Sequence, residues 1–362
     1  MVVDDSAIVR GVVCRILQSD PDIEVVKSAA NGQAALNAVK EQDIDVILLD
    51  VEMPVMDGLT ALPLLIKAAP NTRIIMNSTL TRRNAAVTIR ALSQGAADFV
   101  AKPEAKSGLS SSEEFASEII RKVKALAGAA RRPATLPRPT LATKPTVATP
   151  KKGLYGDAQI ILRNSPIPPR LGVLAIGSST GGPQALLTLF EGFKHTPALP
   201  IMITQHMPPT FTAIMAEQIE KTSGIPSGEA KEGETVKPGH VYVAPGNYHM
   251  TVVKEDGQPV IRLNQGPPEN FCRPAVDPML RSLVEVYGGR TLVVILTGMG
   301  HDGLQGCQSI VEKGGLVLAQ DEASSVVWGM PGAVATVGVC REILPIDRIG
   351  PRLAKLLKDQ GL

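Results

Sequence analysis

Along the first 127 residues, short apolar runs alternate with segments whose apolar positions recur every three or four residues. The stretches "MVV", "IEVVKSA", "VILLD", "RIIMNS" and "DFVAK" have the length and composition of strands. Segments around 7–18, 32–41, 58–68 and 83–94 carry the helical period. A fifth helix is predicted in "SSSEEFASEIIRKVKALAG", where Phe115, Ile119, Val123 and Leu126 form one stripe. Five strands alternating with five helices predict a doubly wound α/β domain with its site at the C-terminal ends of the strands.

From about Leu171 the same alternation resumes. "LGVLAIG", "LPIMITQ", "HVYVAPG", "TLVVILTG" and "GLVLAQ" read as strands, with helices near 183–193, 210–222, 277–287, 304–313 and 346–359. One segment departs from the pattern: in "HMTVVKEDGQPVIRL", Asp256-Gly257 separates two strand-like runs and predicts a hairpin. The expectation is a second doubly wound, mostly parallel α/β domain carrying an antiparallel hairpin. Between the two halves, "RRPATLPRPTLATKPTVATPKK" holds five prolines, six Lys or Arg and no acid, and lacks either period. It reads as an extended, solvated tether. The predicted organisation is therefore 1–127, a Pro-rich basic linker over 128–168, and 169–362.

With 362 residues the chain exceeds what one core usually covers, which agrees with two domains. Apolar residues make up 44% and charged residues 20%, and no apolar run reaches the length of a membrane span, so membrane insertion is not expected. The opening "MVVDDSAIVR" has acids where an export signal would be basic and then apolar, which points to a cytoplasmic location. A net charge of +2, few aromatics and no helix-turn-helix argue against nucleic acid. Cys14, Cys272, Cys307 and Cys340 form no CxxC pair or His-Cys cluster, so each reads as a small buried hydrophobe.

Chemistry enters at the strand ends. Asp4 and Asp5 close the first strand and Asp50 closes "VILLD", so three carboxylates from two strands share one crevice. That crowding is costly unless a cation compensates it, and hard oxygen donors suit Mg²⁺. Ser78 ends "RIIMNS" and Lys102 ends "DFVAK", adding a hydroxyl and a positive charge to the same rim. The set suits phosphoryl transfer to Asp50, with Lys102 and Ser78 holding the product phosphate. "VVDDS", "LLDVEMPVMDG" and "FVAKP" resemble the motifs of the receiver domain of two-component response regulators, a flavodoxin-like five-stranded fold. The resemblance implies Asp5, Asp50 and the backbone carbonyl of Glu52 as Mg²⁺ ligands, Asp4 assisting through water, and Ser78 and Phe99 as a switch pair. A chemotaxis histidine kinase is the implied phosphodonor.

In the second half, "VLAIGSSTGGPQALLTLF" runs from a buried strand through small residues directly into a helix. A phosphate-binding reading gains from the helix N-terminus. It loses on detail, since the turn is neither GxxxxGK[ST] nor GxGxxG and the next strand ends in Gln205-His206. Read as G-x-S-x-G, the turn exposes Ser179 as a nucleophile. His206 then ends the second strand and Asp302 follows "VILTGMG", so base and acid fall at two more strand ends. The order Ser, His, Asp differs from that of the α/β-hydrolases. His249 and His301 are further candidates to line the cleft, Asp277 is expected to cap the helix it precedes, and Asp321 flanks the site. His195 and His240 lie in loop-like sequence.

"AIGSSTGGPQAL", "TQHMPPTFT", "VYVAPGNYHM", "RPAVDPML", "LTGMGHDG" and "AQDEASSVVWGMPGAV" together resemble the catalytic domain of the chemotaxis protein-glutamate methylesterases, the CheB family. By motif position, that resemblance puts nucleophile, base and acid on Ser179, His206 and Asp302, with Ser178, Thr180 and Met299 near the nucleophile and oxyanion. It implies hydrolysis of glutamate γ-methyl esters, with deamidation of glutamines as a second activity, on methyl-accepting chemoreceptors, and no cofactor at the esterase site. The other class the residues allow is a response regulator whose second half binds an anionic ligand without chemistry.

Overall fold

The computed structural model describes residues 1–102, 109–130, 160–193 and 195–362. The Lys-Pro motif's Pro103 and most of the expected linker lie outside the described residues.

In the N-terminal half, strands β1 (Val2–Val3), β2 (Ser28–Ala29), β3 (Val46–Asp50), β4 (Arg73–Ser78) and β5 (Asp98–Ala101) form one parallel sheet in the order β2-β1-β3-β4-β5. Helices α1 (Ala7–Gln18), α2 (Gly32–Glu41), α3 (Gly58–Ala68), α4 (Arg82–Ser93) and α5 (Leu109–Ala130) alternate with them. Four of these helices begin where the sequence supplies a cap. Ser6, Asn31, Asp57 and Thr81 each accept a backbone N–H three residues on, which satisfies donors a helix start leaves free. The strand predicted over "IEVVKSA" is reduced to Ser28–Ala29. As an edge strand it pairs only with the two-residue β1, so there is little ladder for its apolar residues to join.

In the C-terminal half, β6 (Val173–Ser178), α6 (Gly182–Glu191), β7 (Ile201–Gln205), α7 (Phe211–Ser223), β8 (Ser227–Glu229) and β9 (Val241–Val243) precede a hairpin of β10 (His249–Glu255) and β11 (Gln258–Asn264). Then follow α8 (Val276–Tyr287), β12 (Thr291–Ile295), α9 (Leu304–Glu312), β13 (Leu316–Gln320), α10 (Met330–Thr336), β14 (Glu342–Leu344) and α11 (Ile346–Lys358). Seven strands make a sheet in the order β14-β13-β12-β6-β7-β9-β8, and every pairing in it is parallel. The antiparallel component is separate: β10 and β11 form their own two-stranded sheet, turned by Asp256 and Gly257 at φ 48° and 81°. The hairpin packs on α8 through Met250, Val252 and Ile261, all buried.

Strand order reverses beside β6, since the chain runs outward through β7 on one side and β12 on the other. The C-terminal ends of β6, β7 and β12 therefore bound a crevice, the position where doubly wound sheets bind ligands. The N-terminal half covers that crevice. Its α4 packs on α6 and α7, Phe99 of β5 stacks on Phe211 of α7 with ring centroids 4.3 Å apart, and Arg82 pairs with Glu217 at 2.8 Å.

Candidate active site

The N-terminal crevice gathers the acids predicted for it. One carboxylate oxygen from each of Asp4, Asp5 and Asp50 lies within 4.8 Å of the other two. Asp4 and Asp50 are buried and Asp5 is exposed. Lys102 reaches in from the end of β5, with Nζ 2.7 Å from Asp50 and 2.9 Å from Asp4. Burial nevertheless outweighs this partner at Asp50 and raises its pKa; Asp4 adds to the rise. Burial works against the charge on Lys102, but the two carboxylates outweigh it and raise its pKa. Three carboxylates against one ammonium leave excess negative charge, which fits a divalent cation. Glu52 has an exposed side chain close by in sequence. Ser78 is buried, and its hydroxyl donates weakly to the carbonyls of Thr79 and Asn84. Phe99 points the other way, into the junction with α7.

At the second crevice, Ser179 follows β6 on a turn that enters α6 through Gly181 at φ 76°. Non-glycine residues rarely adopt that backbone, and a Cβ there would lie 2.6 Å from Val326. Gln205 at the end of β7 binds this turn together. Its Oε1 accepts from Ser178 Oγ at 2.6 Å, and its Nε2 donates to the carbonyls of Ser179 at 2.9 Å and His206 at 3.2 Å. One amide thus ties the strand end carrying Ser179 to the strand end carrying His206.

His206 Nε2 lies 2.7 Å from Asp302 Oδ2. Asp302 is buried and held from four further directions: the N–H groups of Val276 (2.6 Å), Asp277 (3.1 Å) and Gly303 (2.9 Å), and Asn270 Nδ2 (2.9 Å). Burial opposes its charge, but His206 and these donors prevail and lower its pKa. Its carboxylate, not that of Asp277, therefore caps α8. Asp277 instead accepts from Gly306 N–H at the start of α9, which corrects the expected capping role.

The other ring nitrogen of His206 does not meet serine. Nδ1 lies 3.3 Å from Cys272 Sγ. Ser179, partly exposed on the same cleft wall, makes no side-chain hydrogen bond among the described residues. Cys272 is therefore not the small buried hydrophobe expected: it is half-buried and lines the cleft beside the imidazole. Burial opposes the charge on both partners, yet each is stabilised by the other. The pKa of His206 is raised by Cys272 and Asp302, and that of Cys272 is lowered by His206.

Thr180 is buried, and its hydroxyl donates to Asp98 of β5 at 2.8 Å. Met299 packs half-buried at the junction with the N-terminal half. Neither Thr180 nor Met299 has its backbone N–H paired to protein among the described residues. His249 is buried between the Pro267 carbonyl and the Ala275 N–H and lines a different cavity. His301 is exposed and outside the cleft lining, and Asp321 closes a turn with Ser324. The cleft has a volume of about 1010 Å³ and is walled by both halves: Ser179, His206 and Cys272 on one side, Phe99, Glu118 and Arg121 on the other.

Both halves of the chain match known families. Residues 174–353 match the family described as CheB methylesterase, and residues 1–112 match the response regulator receiver domain. A Rhodospirillum centenum protein named protein-glutamate methylesterase/protein-glutamine glutaminase of group 2 operon is 52% identical, over 98% of this chain and 93% of its own length. The chain belongs to the CheB methylesterase family. A similarly named Paramagnetospirillum magneticum protein is 51% identical over 98% of the chain and 95% of its own length. The crystal structure of the Thermotoga maritima CheB methylesterase catalytic domain is 40% identical, covers 52% of this chain and 98% of that one, and superposes with a TM-score of 0.50. Within this CheB-family chain, Gln205, Asn270 and Cys272 are the site residues that sequence reasoning missed. Gln205 was visible as the neighbour of His206, but the side chains it would bridge were not; the position of Cys272 depends on a loop that carries no chemical motif.

Proposed function

We propose that this CheB-family chain is a phosphorylation-controlled protein-glutamate methylesterase, and also a protein-glutamine deamidase, acting in the cytoplasm on the cytoplasmic helices of chemoreceptors. The observation that carries the reading is the His206–Asp302 pair, 2.7 Å apart, with His206 lining the same cleft as Ser179. A domain that only bound an anion would have no use for such a pair, so the non-catalytic reading is not favoured. No helix among the described residues is long and apolar enough to cross a membrane. The working division is a receiver over 1–127, a linker over 128–168 and a catalytic domain over 169–362.

In this mechanism Ser179 Oγ attacks the ester carbonyl and His206 takes its proton through Nδ1, the nitrogen not committed to Asp302. Asp302 fixes the imidazole and stabilises the imidazolium. The free N–H groups of Thr180 and Met299 are the candidates to receive the developing oxyanion, and Ser178 holds the turn through Gln205. Methanol leaves with the proton from His206, and water attacks the acyl-enzyme to restore glutamate. For a glutamine substrate the leaving group is ammonia.

Control comes from Asp50, which accepts a phosphoryl group from a chemotaxis histidine kinase. Asp4, Asp5, Asp50 and the Glu52 carbonyl would hold Mg²⁺, which neutralises phosphoryl charge when bound. Lys102 and Ser78 would hold the product phosphate, and Phe99 would carry the change to the interface. The unphosphorylated receiver covers the cleft, and phosphorylation shifts the population toward an uncovered state.

The test is methanol release from methylated receptor membranes by wild type, Ser179→Ala and Asp50→Ala, with and without a small-molecule phosphodonor. Release that falls at least about 10³-fold in Ser179→Ala, and that responds to phosphodonor only when Asp50 is present, is expected. Equal release by wild type and Ser179→Ala would overturn the assignment.

A further inference from the structure

Two nucleophile-class side chains line the cleft that holds His206. Ser179 stands on the β6 turn, while Cys272 presents its sulfur to His206 Nδ1 at 3.3 Å. Behind His206 stands Asp302, so Cys272, His206 and Asp302 are themselves ordered as nucleophile, base and acid.

The loop that delivers the thiol is fixed at both ends. Glu269 and Cys272 exchange backbone hydrogen bonds of 3.1 and 2.9 Å around Asn270 and Phe271, both left-handed at φ 51° and 63°. Asn270 Nδ2 then ties the turn to Asp302 and Asp277. Phe271 is almost wholly exposed, while the half-buried Cys272 lines the cleft. Cys272 therefore differs from Cys307 and Cys340, which are buried in the core.

We propose that Cys272 is a site of covalent modification by peroxide, and that its oxidation switches off ester hydrolysis by occupying the cleft beside His206. In the step, the thiolate sulfur attacks one oxygen of hydrogen peroxide. An S–O bond forms as the O–O bond breaks, and the departing oxygen leaves as water after taking the proton of the His206 imidazolium. Sulfur is oxidised to a sulfenic acid, peroxide is reduced, and a dithiol reductant reverses the change.

Charge around the sulfur favours the thiolate. His206 faces it directly, Arg121 of α5 approaches from the receiver side, and Asp302 opposes from behind His206. Glu118 shares the receiver wall, and Asp277 lies behind Asn270. His206 outweighs both burial and Asp302, so the pKa of the thiol is lowered. That of Cys14, half-buried and without such a partner, is raised by burial.

The loss of hydrolysis rests on His206 being the esterase base; the thiol chemistry is measured without that reading. Full-length protein is alkylated with iodoacetamide at slightly acid and slightly alkaline pH, and each cysteine is followed by peptide mass spectrometry, with Cys14 as the internal reference. Cys272 is expected to react at least tenfold faster than Cys14 at the acid pH, roughly the thiolate enrichment of a His-paired cysteine, and His206→Gln should abolish that advantage. Peroxide should then yield a dimedone adduct at Cys272 and a parallel loss of methanol release that dithiothreitol restores. Cys272→Ser, whatever its starting activity, should lose no more under the same treatment. Labelling at the rate of Cys14, or equal peroxide sensitivity in Cys272→Ser, would overturn the proposal. A reactive Cys272 in a protein that releases no methanol would overturn the esterase reading instead and leave the thiol site standing.

Discussion

His206 has two acidic neighbours, and they act on catalysis in opposite senses. Asp302 orients the ring and stabilises the charge that forms during turnover, whereas Cys272 stabilises that charge before the reaction starts. A general base must be neutral to accept a proton, and the pKa of His206 is raised in this arrangement, so activity should rise with pH as the imidazolium loses its proton. Replacing Cys272 by serine removes an anionic partner while keeping the size. Burial then pushes the imidazole down, and the rising limb of the kcat/KM profile should move to lower pH by about one unit. A limb that stays in place would show that the sulfur is not a charged partner. At the other site the sign is reversed. Asp50 has its pKa raised by burial, so the folded state gains from protonation at low pH, and that contribution is lost as pH rises through the folded value. Asp50→Asn should therefore raise the receiver's thermal midpoint at neutral pH by a few degrees, read by calorimetry. Mg²⁺ should stabilise wild type more than the variant.

At the scale of elements, the catalytic geometry depends on strand ends being held in register by one buried amide. Gln205 is fully enclosed at the end of β7 and bridges Ser178, Ser179 and His206. Gln205→Leu keeps the volume but leaves the Ser178 hydroxyl and two carbonyls without their partner, a loss of about 1–3 kcal/mol per unsatisfied group. The variant should unfold at lower denaturant and lose kcat more than KM, because the turn that aims Ser179 relaxes. An unchanged kcat in a destabilised protein would confine Gln205 to a structural role. This element also shows what could be read in advance. The strands that end in Asp50, Gln205 and Ile295 are apolar runs buried on both faces, so their pattern announces them. The short β8 and β14 were not expected, because "SGE" and "EIL" have too few residues to show a period. Ser179 and His206 were legible because each directly follows a strand, and Asp302 because it sits on the glycine-rich loop after β12. Cys272 was not: it reaches His206 through a left-handed turn and the anchor of Asn270, contacts that span 66 residues.

For the whole molecule, the receiver grips the catalytic turn as well as covering it. Thr180, next to Ser179, donates to Asp98 at 2.8 Å, and Lys122 holds the same carboxylate at 3.3 Å while also bonding the Phe99 carbonyl. Phe99, stacked on Phe211, follows Asp98 on β5, the strand that leads directly into Lys102 and its ion pair with Asp50. A change at Asp50 therefore has a short path to the cleft: Lys102 shifts, β5 follows, and the Asp98 and Phe99 contacts weaken together. If this docking represses activity, loosening it should mimic phosphorylation. Asp98→Ala removes the link to Thr180 and leaves Lys122 paired with Glu118. Basal methanol release should rise roughly five- to tenfold, the scale of a coupling of about 1–1.4 kcal/mol. Stimulation by phosphodonor should shrink by the same factor, because the variant has already spent that coupling. Removing residues 1–127 should raise the basal rate at least as far. If both changes leave basal activity unchanged or lower it, the receiver is not an inhibitory cover, and Asp98 serves instead to hold the Ser179 turn in its working shape.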